Sequence, residues 1–289
     1  MNDQAPAAVE PSLAGYTGYL LVRAFIRAQA CGVAAMPAGR HPRDLAILTA
    51  LVAGGPVSQA RLGELLKINR TIMVKMVDGL EEAGLVRRAR DPADRRRYAL
   101  APTTDGEAAL AGMQRAAAGG EAELAAGLTS AEHRRLNELL SRLVPDLTRV
   151  LPESITNRTG FLIARAHYRL RERGRLALRS LGIEPRHFGA LTALAAAEPC
   201  SQQRLADRIG VSGPAIVQTI DELDRAALIV RERNPADRRE HILRLTDQGR
   251  VHLDQARSTL DQIQHEISDL LGEPAAAELN ALLSKVATT

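Results

Sequence analysis

Two stretches gather cationic side chains in a form that suits polyanion binding. "RRARDPADRRRYAL" (87–100) sets six arginines around a Pro-Ala-Asp tripeptide, and "RERNPADRREHIL" (231–243) writes the pattern again. An arginine on a narrow loop fits the minor groove of duplex DNA, where the negative potential is enhanced, while its neighbours hold phosphates. An aspartate in the same loop can orient a guanidinium through paired hydrogen bonds, and a proline stiffens the turn. The candidate groups are Arg90, Asp94, Arg95, Arg96 and Arg97 in the first stretch, and Arg233, Asp237, Arg238 and Arg239 in the second. A merely solvated hairpin would account for the charge but not for Pro-Ala-Asp-Arg-Arg in both places.

The two stretches belong to a longer repeat. Asp94 matches Asp237 at a spacing of 143 residues, and at that spacing Leu48-Thr49-Ala50-Leu51 meets Leu191-Thr192-Ala193-Leu194. Ser58-Gln59 likewise meets Ser201-Gln202, and Gly106 meets Gly249. Near the start the register slips by one, so that "GYLLVRA" (18–24) meets "GFLIARA" (160–166). Units of this length are whole domains rather than solenoid repeats. The expected organisation is an N-terminal tail (1–15), a first domain (16–146), a linker (147–158) holding Pro152, and a second domain (159–289).

Each copy reads as a long amphipathic helix, a second helix over "RDLAILTALV" or "RHFGALTALAA", and a short helix capped by Ser58 or Ser201. A tight turn follows, then another helix to about Ala83 or Ala226. "LVRRA" with "RYALAP", and "LIVRE" with "HILRLT", have strand character. The arginine loops therefore sit at hairpin tips. Long helices begin at Thr103 and Thr246, and one more helix follows in each copy. The fold class expected is mainly α with small β-hairpin wings: two winged helix-turn-helix domains joined by a helical, dimerisation-like interface into a single-chain pseudo-dimer.

In a helix-turn-helix the N-terminal end of the second helix meets base edges in the major groove. That end carries Asn69, Arg70, Thr71 and Lys75 in copy one, and Ser212, Gly213, Pro214, Gln218 and Thr219 in copy two. Arginine can take both acceptors of guanine and asparagine can pair with adenine. Copy two is smaller and less cationic there, so it should read different or fewer bases. The first wing also has Arg87 and Arg97 where the second has Val230 and Glu240, which predicts stronger phosphate binding by the first.

Composition narrows the classes. Aromatic residues make up 2% of the chain, too few for an aromatic-rich β-sandwich, and the net charge of +4 is modest, so clustering matters more than the sum. Two cysteines, Cys31 and Cys200, cannot make a disulfide framework or a zinc cage. Both are expected to pack inertly, and the seven histidines show no matched metal spacing, so no metal is expected. There is no Gly-rich phosphate loop, nucleophile elbow or paired acid–base motif, which argues against an enzyme. No stretch approaches the roughly 20 apolar residues of a membrane span, and the N-terminus lacks a signal-peptide pattern. A soluble, cytoplasmic, bacterial protein without a cofactor is the expectation.

The run 201–249, with Asp237 and Arg239 in the wing followed by Leu245-Thr246 and Gly249, resembles the MarR family of bacterial transcriptional regulators. Copy one keeps Asp94, Arg96, Thr103 and Gly106 but has Ala101-Pro102 before the threonine, so its second wing strand is expected to be shorter or distorted. The resemblance implies a sequence-specific repressor of double-stranded DNA, its two unequal halves reading an asymmetric operator. It also implies release by a small, often aromatic effector bound between the helical interface and the winged domain. The residues do not name the effector, its binding residues or the target genes. Association beyond the internal pseudo-dimer is not required. The alternative is an interaction scaffold in which one winged domain alone binds DNA.

Overall fold

The short helices begin where a hydroxyl takes a free first-turn amide. The computed structural model describes residues 8–90, 98–145, 151–234 and 241–288. In the first repeat, helix α1 spans Thr17–Ala35, α2 Pro42–Gly54, α3 Gln59–Leu66 and α4 Arg70–Glu82. Strands β1 (Val86–Arg90) and β2 (Tyr98–Pro102) and helices α5 (Thr104–Leu124) and α6 (Ser130–Leu143) follow. A one-turn helix α7 (Glu153–Thr156) precedes the second repeat: α8 Thr159–Ala177, α9 Pro185–Ala195, β3 Cys200–Ser201, α10 Gln202–Ile209 and α11 Gly213–Arg225. It ends with β4 Ile229–Arg233, β5 His241–Leu245, α12 Asp247–Leu271 and α13 Glu273–Thr288. Ser58 Oγ accepts from the Arg61 amide at 3.2 Å and Ser201 Oγ from the Arg204 amide at 3.4 Å, as the sequence predicts. Lys67 and Gly210 turn the chain into α4 and α11 in the left-handed region, at φ 49° and 73°.

The threonine-x-x-glycine spacing has a steric reason. Thr103 Oγ1 accepts from the Gly106 amide and donates to the Gly84 carbonyl, and Thr246 does the same with Gly249 and Ala227. Each cap presses the start of the long helix onto the chain entering the wing. A Cβ on Gly106 would overlap the Leu85 carbonyl oxygen, and one on Gly249 the Leu228 carbonyl oxygen.

The expectation of a shortened first wing is corrected. β1 and β2 pair antiparallel from Val86↔Pro102 to Arg90↔Tyr98, the register that β4 and β5 keep from Ile229↔Leu245 to Arg233↔His241. Proline fits because the equivalent Leu245 amide points away from the hairpin, to the Glu198 carboxylate at 2.8 Å. Gly55 occupies the place of Glu198 in the first repeat, so both halves of that bond are absent together. The copies do differ at the third strand. β3 pairs with β5, whereas among the described residues the first repeat has a single bridge there, Val57↔Leu100.

The chain divides into two compact units. One comprises Met1–Ile26, Gly127–Leu143 and Ile163–Thr289. Its core runs through Leu191, Leu194, Leu205, Ile220, Leu223 and Leu253. Leu13, from the stretch the sequence reading assigns to a tail, is fully buried in that core. Thr17 bonds Gln264 and Asn280 at 3.1 and 2.7 Å, and α6 is held by Arg135–Glu278 at 2.9 Å and by Arg142 donating to the Leu270 carbonyl at 2.7 Å. First-repeat helix segments thus complete the second winged domain.

The other unit comprises Arg27–Ala126 and Val144–Leu162. Leu48, Leu62, Leu66, Met73, Val77 and Leu80 form its centre, joined by Leu151 and Ile155 from the segment between the repeats. Half-buried Glu121 accepts from the Thr159 and Gly160 amides at 2.8 and 3.2 Å, capping α8 with a carboxylate. Burial raises its pKa, against those amide bonds.

Candidate nucleic-acid interface

The faces of α4 and α11 follow from helical period. Met73, Val77 and Leu80 turn one side of α4 inward, and Ile216, Ile220 and Leu223 do so for α11. Arg70, Thr71, Val74 and Lys75 are exposed on α4; Ser212, Gly213, Pro214, Val217 and Gln218 are exposed at the start of α11. Asn69 is exposed, with its side chain engaged: Oδ1 accepts from the Ile72 amide at 2.9 Å and caps the helix. Thr219 does not share the exposed face. It is 6% exposed, and its hydroxyl donates to the Ala215 carbonyl at 3.0 Å.

The wing arginines divide into two kinds. Arg88 folds back onto α4, bonding Asp78 at 2.7 Å and also Glu81. Arg231 folds back onto α11 in the same way, meeting Asp221 and, at 3.2 Å, Asp224. The two triads coincide at the repeat spacing. They join the first wing strand to the recognition helix, and sequence reasoning singles out neither arginine as a site residue. Arg87, Arg90 and Arg233 stay exposed, Arg90 lying 5.6 Å over the ring of Tyr98. Asp94, Arg95, Arg96, Arg97, Asp237, Arg238 and Arg239 lie outside the described residues.

Behind α11, within the same compact unit, lies a cavity of about 530 Å³. Leu13, Tyr19, Phe25, Phe188 and Ile267 supply apolar walls, and Ala215, Ile216, Gln218 and Thr219 bring the recognition helix to it. Buried Arg23 on α1 crosses to the helix-turn-helix, donating to the Ile209 carbonyl at 3.0 Å. A side chain at Gly210 would strike its guanidinium. His167 stacks on Phe25 at 4.5 Å and 10°. Burial, reinforced by Arg171, pushes its pKa down to about 4, so the ring is neutral at neutral pH.

A polar cluster joins this cavity to α11. The Glu222 carboxylate takes Arg186 at 2.7 Å, His187 Nε2 at 2.6 Å and Gln218 Nε2 at 2.9 Å. His187 Nδ1 accepts from the Glu184 amide, so the neutral ring carries its proton on Nε2 and donates to Glu222. Arg186, His187 and Gln218 together hold the Glu222 pKa at about 2.

A family model described as MarR family matches residues 38–97 and 181–240, once in each repeat. A transcriptional regulatory protein for the hcr operon of Thauera aromatica is 34% identical over 144 residues, 49% of this chain and 87% of that protein. The chain belongs to the MarR family. Among solved structures it is similar to the transcriptional repressor CouR bound to a 23-mer DNA duplex, at 33% identity over 40% of this chain and 82% of that one, with a TM-score of 0.38. A cysteine-to-serine mutant of MarR from Escherichia coli matches at 26% identity over 44% of this chain and 94% of that one, with a TM-score of 0.39.

As a MarR-family transcriptional regulator, the chain carries the winged helix-turn-helix twice. Desolvation raises the pKa of half-buried Cys31, and that of buried Cys200, against the pull of nearby arginines. Among the described residues, no group of three or more His, Cys, Asp or Glu is placed to hold a metal ion. No helix among them is long and apolar enough to cross a membrane.

Proposed function

We propose that this MarR-family chain is a ligand-responsive repressor whose repeats, 16–146 and 159–289 about a 147–158 linker, read two unlike half-sites. The observation that carries the reading is the contrast between two recognition helices entered through matching turns. Exposed Arg70, Thr71 and Lys75 begin α4, whereas Ser212, Gly213, Pro214 and Gln218 begin α11. The first set offers cationic donors to guanine and phosphate; the second offers small polar groups and one amide. Asn69 serves this surface as a cap, and Thr219 serves the cavity. The arginine wings enter flanking minor grooves, the first wing with the larger share of phosphate contacts because Arg87 stands where the second has Val230.

The cavity behind α11 is the effector site in this reading. Its volume lies in the range of small-molecule pockets, and its ring-bearing walls suit an aromatic body. The test is selection of bound sequences from a random duplex pool with the purified chain. Two dissimilar half-sites about one helical turn apart are expected. Enrichment of a perfect palindrome would overturn the asymmetric reading.

A further inference from the structure

The cavity's polar edge touches the recognition helix of the second repeat through groups that the first repeat lacks. Arg186 lines the cavity and divides its guanidinium between Glu184 at 2.9 Å and Glu222 at 2.7 Å. Glu222 in turn holds His187 and the exposed Gln218. Arg171, also on the cavity wall, is exposed and makes no ion pair among the described residues. At the repeat spacing Arg186 corresponds to Arg43, but Glu222 corresponds to Gly79, Gln218 to Lys75 and His187 to Asp44. A glycine offers no carboxylate, so the first repeat cannot make the same connection.

We infer that an amphipathic organic anion fills this cavity, draws Arg186 away from Glu222, and thereby loosens α11 while leaving α4 unaffected. This rests on the cavity being an effector site. The apolar body of such a ligand would lie against Phe25, Phe188 and Ile267, and its anionic group would meet Arg171 and Arg186. Once Arg186 turns to the ligand, Glu222 loses its arginine partner, and the carboxylate that orients Gln218 on the DNA-facing side is left held by His187 alone. Release then begins at the half-site of the second repeat. The first repeat keeps its hold through Arg70 and Lys75, so occupancy converts a two-handed grip into a one-handed one. A homodimer of identical halves could not be wired in this way.

The test uses the full chain and 1-anilinonaphthalene-8-sulfonate, a fused-ring sulfonate of the stated chemistry. Dye fluorescence reports occupancy, and hydrogen exchange is followed in peptides covering 213–225 and 70–82. Saturation with the dye is expected to speed exchange in 213–225 by at least about threefold with no change in 70–82. Glu222→Gly, and the milder Glu222→Gln, should keep dye binding and lose that difference. Gly189→Leu should abolish dye binding, because Gly189 lines the cavity and its helix leaves room for a side chain. If the dye fails to bind wild type, or binds Gly189→Leu equally well, the effector-site reading itself falls. If it binds but both helices respond alike, or the Glu222 variants respond like wild type, the cavity reading stands and the one-sided coupling is overturned.

Discussion

His167→Phe should remove an acid sensitivity built into the fold. His167 is 6% exposed and stacked on Phe25, its counterpart at the one-residue slip between the repeats, so a phenyl ring suits the site. Burial first, and Arg171 second, lower its pKa from 6.5 to about 4. Between those values the unfolded chain binds a proton that the folded chain refuses, so stability falls as pH drops through 6.5 toward 4 and is unaffected above 6.5. At about 1.36 kcal/mol per pH unit the loss approaches about 3 kcal/mol below pH 4, and is about 2 kcal/mol at pH 5. The assay is urea unfolding followed by far-ultraviolet circular dichroism at about pH 7.5 and about pH 5 for both proteins. Other acids titrate identically in the two, so the difference between their pH dependences isolates His167. Wild type should lose about 2 kcal/mol more than the variant between the two pH values. Equal losses would mean that His167 is already solvated and protonated, and would refute the buried-neutral assignment.

Three further outcomes follow from the same structure. Gly249→Ala, and separately Gly106→Ala, should destabilise by more than about 3 kcal/mol in the same unfolding assay, because the added carbon overlaps a carbonyl oxygen that the helix start cannot leave. Arg231→Ala and Arg88→Ala should weaken binding to a selected duplex several-fold with an unchanged slope of log K against log salt, whereas Arg239→Ala should lower that slope by about 0.9. A slope lowered equally by Arg231→Ala would place that arginine on a phosphate instead of on Asp221 and Asp224. Cys31 and Cys200 should react with a thiol reagent near neutral pH more slowly than free cysteine, with buried Cys200 slower than half-buried Cys31; fast labelling of either would contradict its raised pKa.

Features set by short-range chemistry were legible in the residues. Ser58 and Ser201 cap as expected because a cap needs only an amide three residues on. Thr219 shows a signal misread: it shares the spacing of Ile216, Ile220 and Leu223, so its inward face was visible in the period, yet its nearness to Gln218 drew it into the outward set. Arg88 and Arg231 were hidden for a different reason. Their carboxylate partners lie seven to ten residues back, across a turn whose angle local pattern does not specify. The cavity was hidden more deeply still, since Leu13, Phe25, Phe188 and Ile267 come from four separate segments and meet only when first-repeat helices complete the second winged domain.

The two repeats also show how far a duplicated fold can drift while its backbone geometry holds. Pro102 looked like damage to a strand because proline cannot donate to a ladder. The Leu245 amide shows that this position never donates to the hairpin: it serves Glu198, and Gly55 with Pro102 removes that pair as a unit. Losing Glu198 alone would have stranded an amide, whereas the Glu198 carboxylate has a second partner in Arg250; with Gly55 and Pro102 both in place the first wing keeps five paired positions, as the second does. The Arg88 and Arg231 triads are the converse, kept in both copies although the exposed residues at the start of the neighbouring helices differ. What holds the wing to the helix before it is the same in both repeats, Arg88 on Asp78 and Glu81 and Arg231 on Asp221 and Asp224, while what that helix presents outward differs.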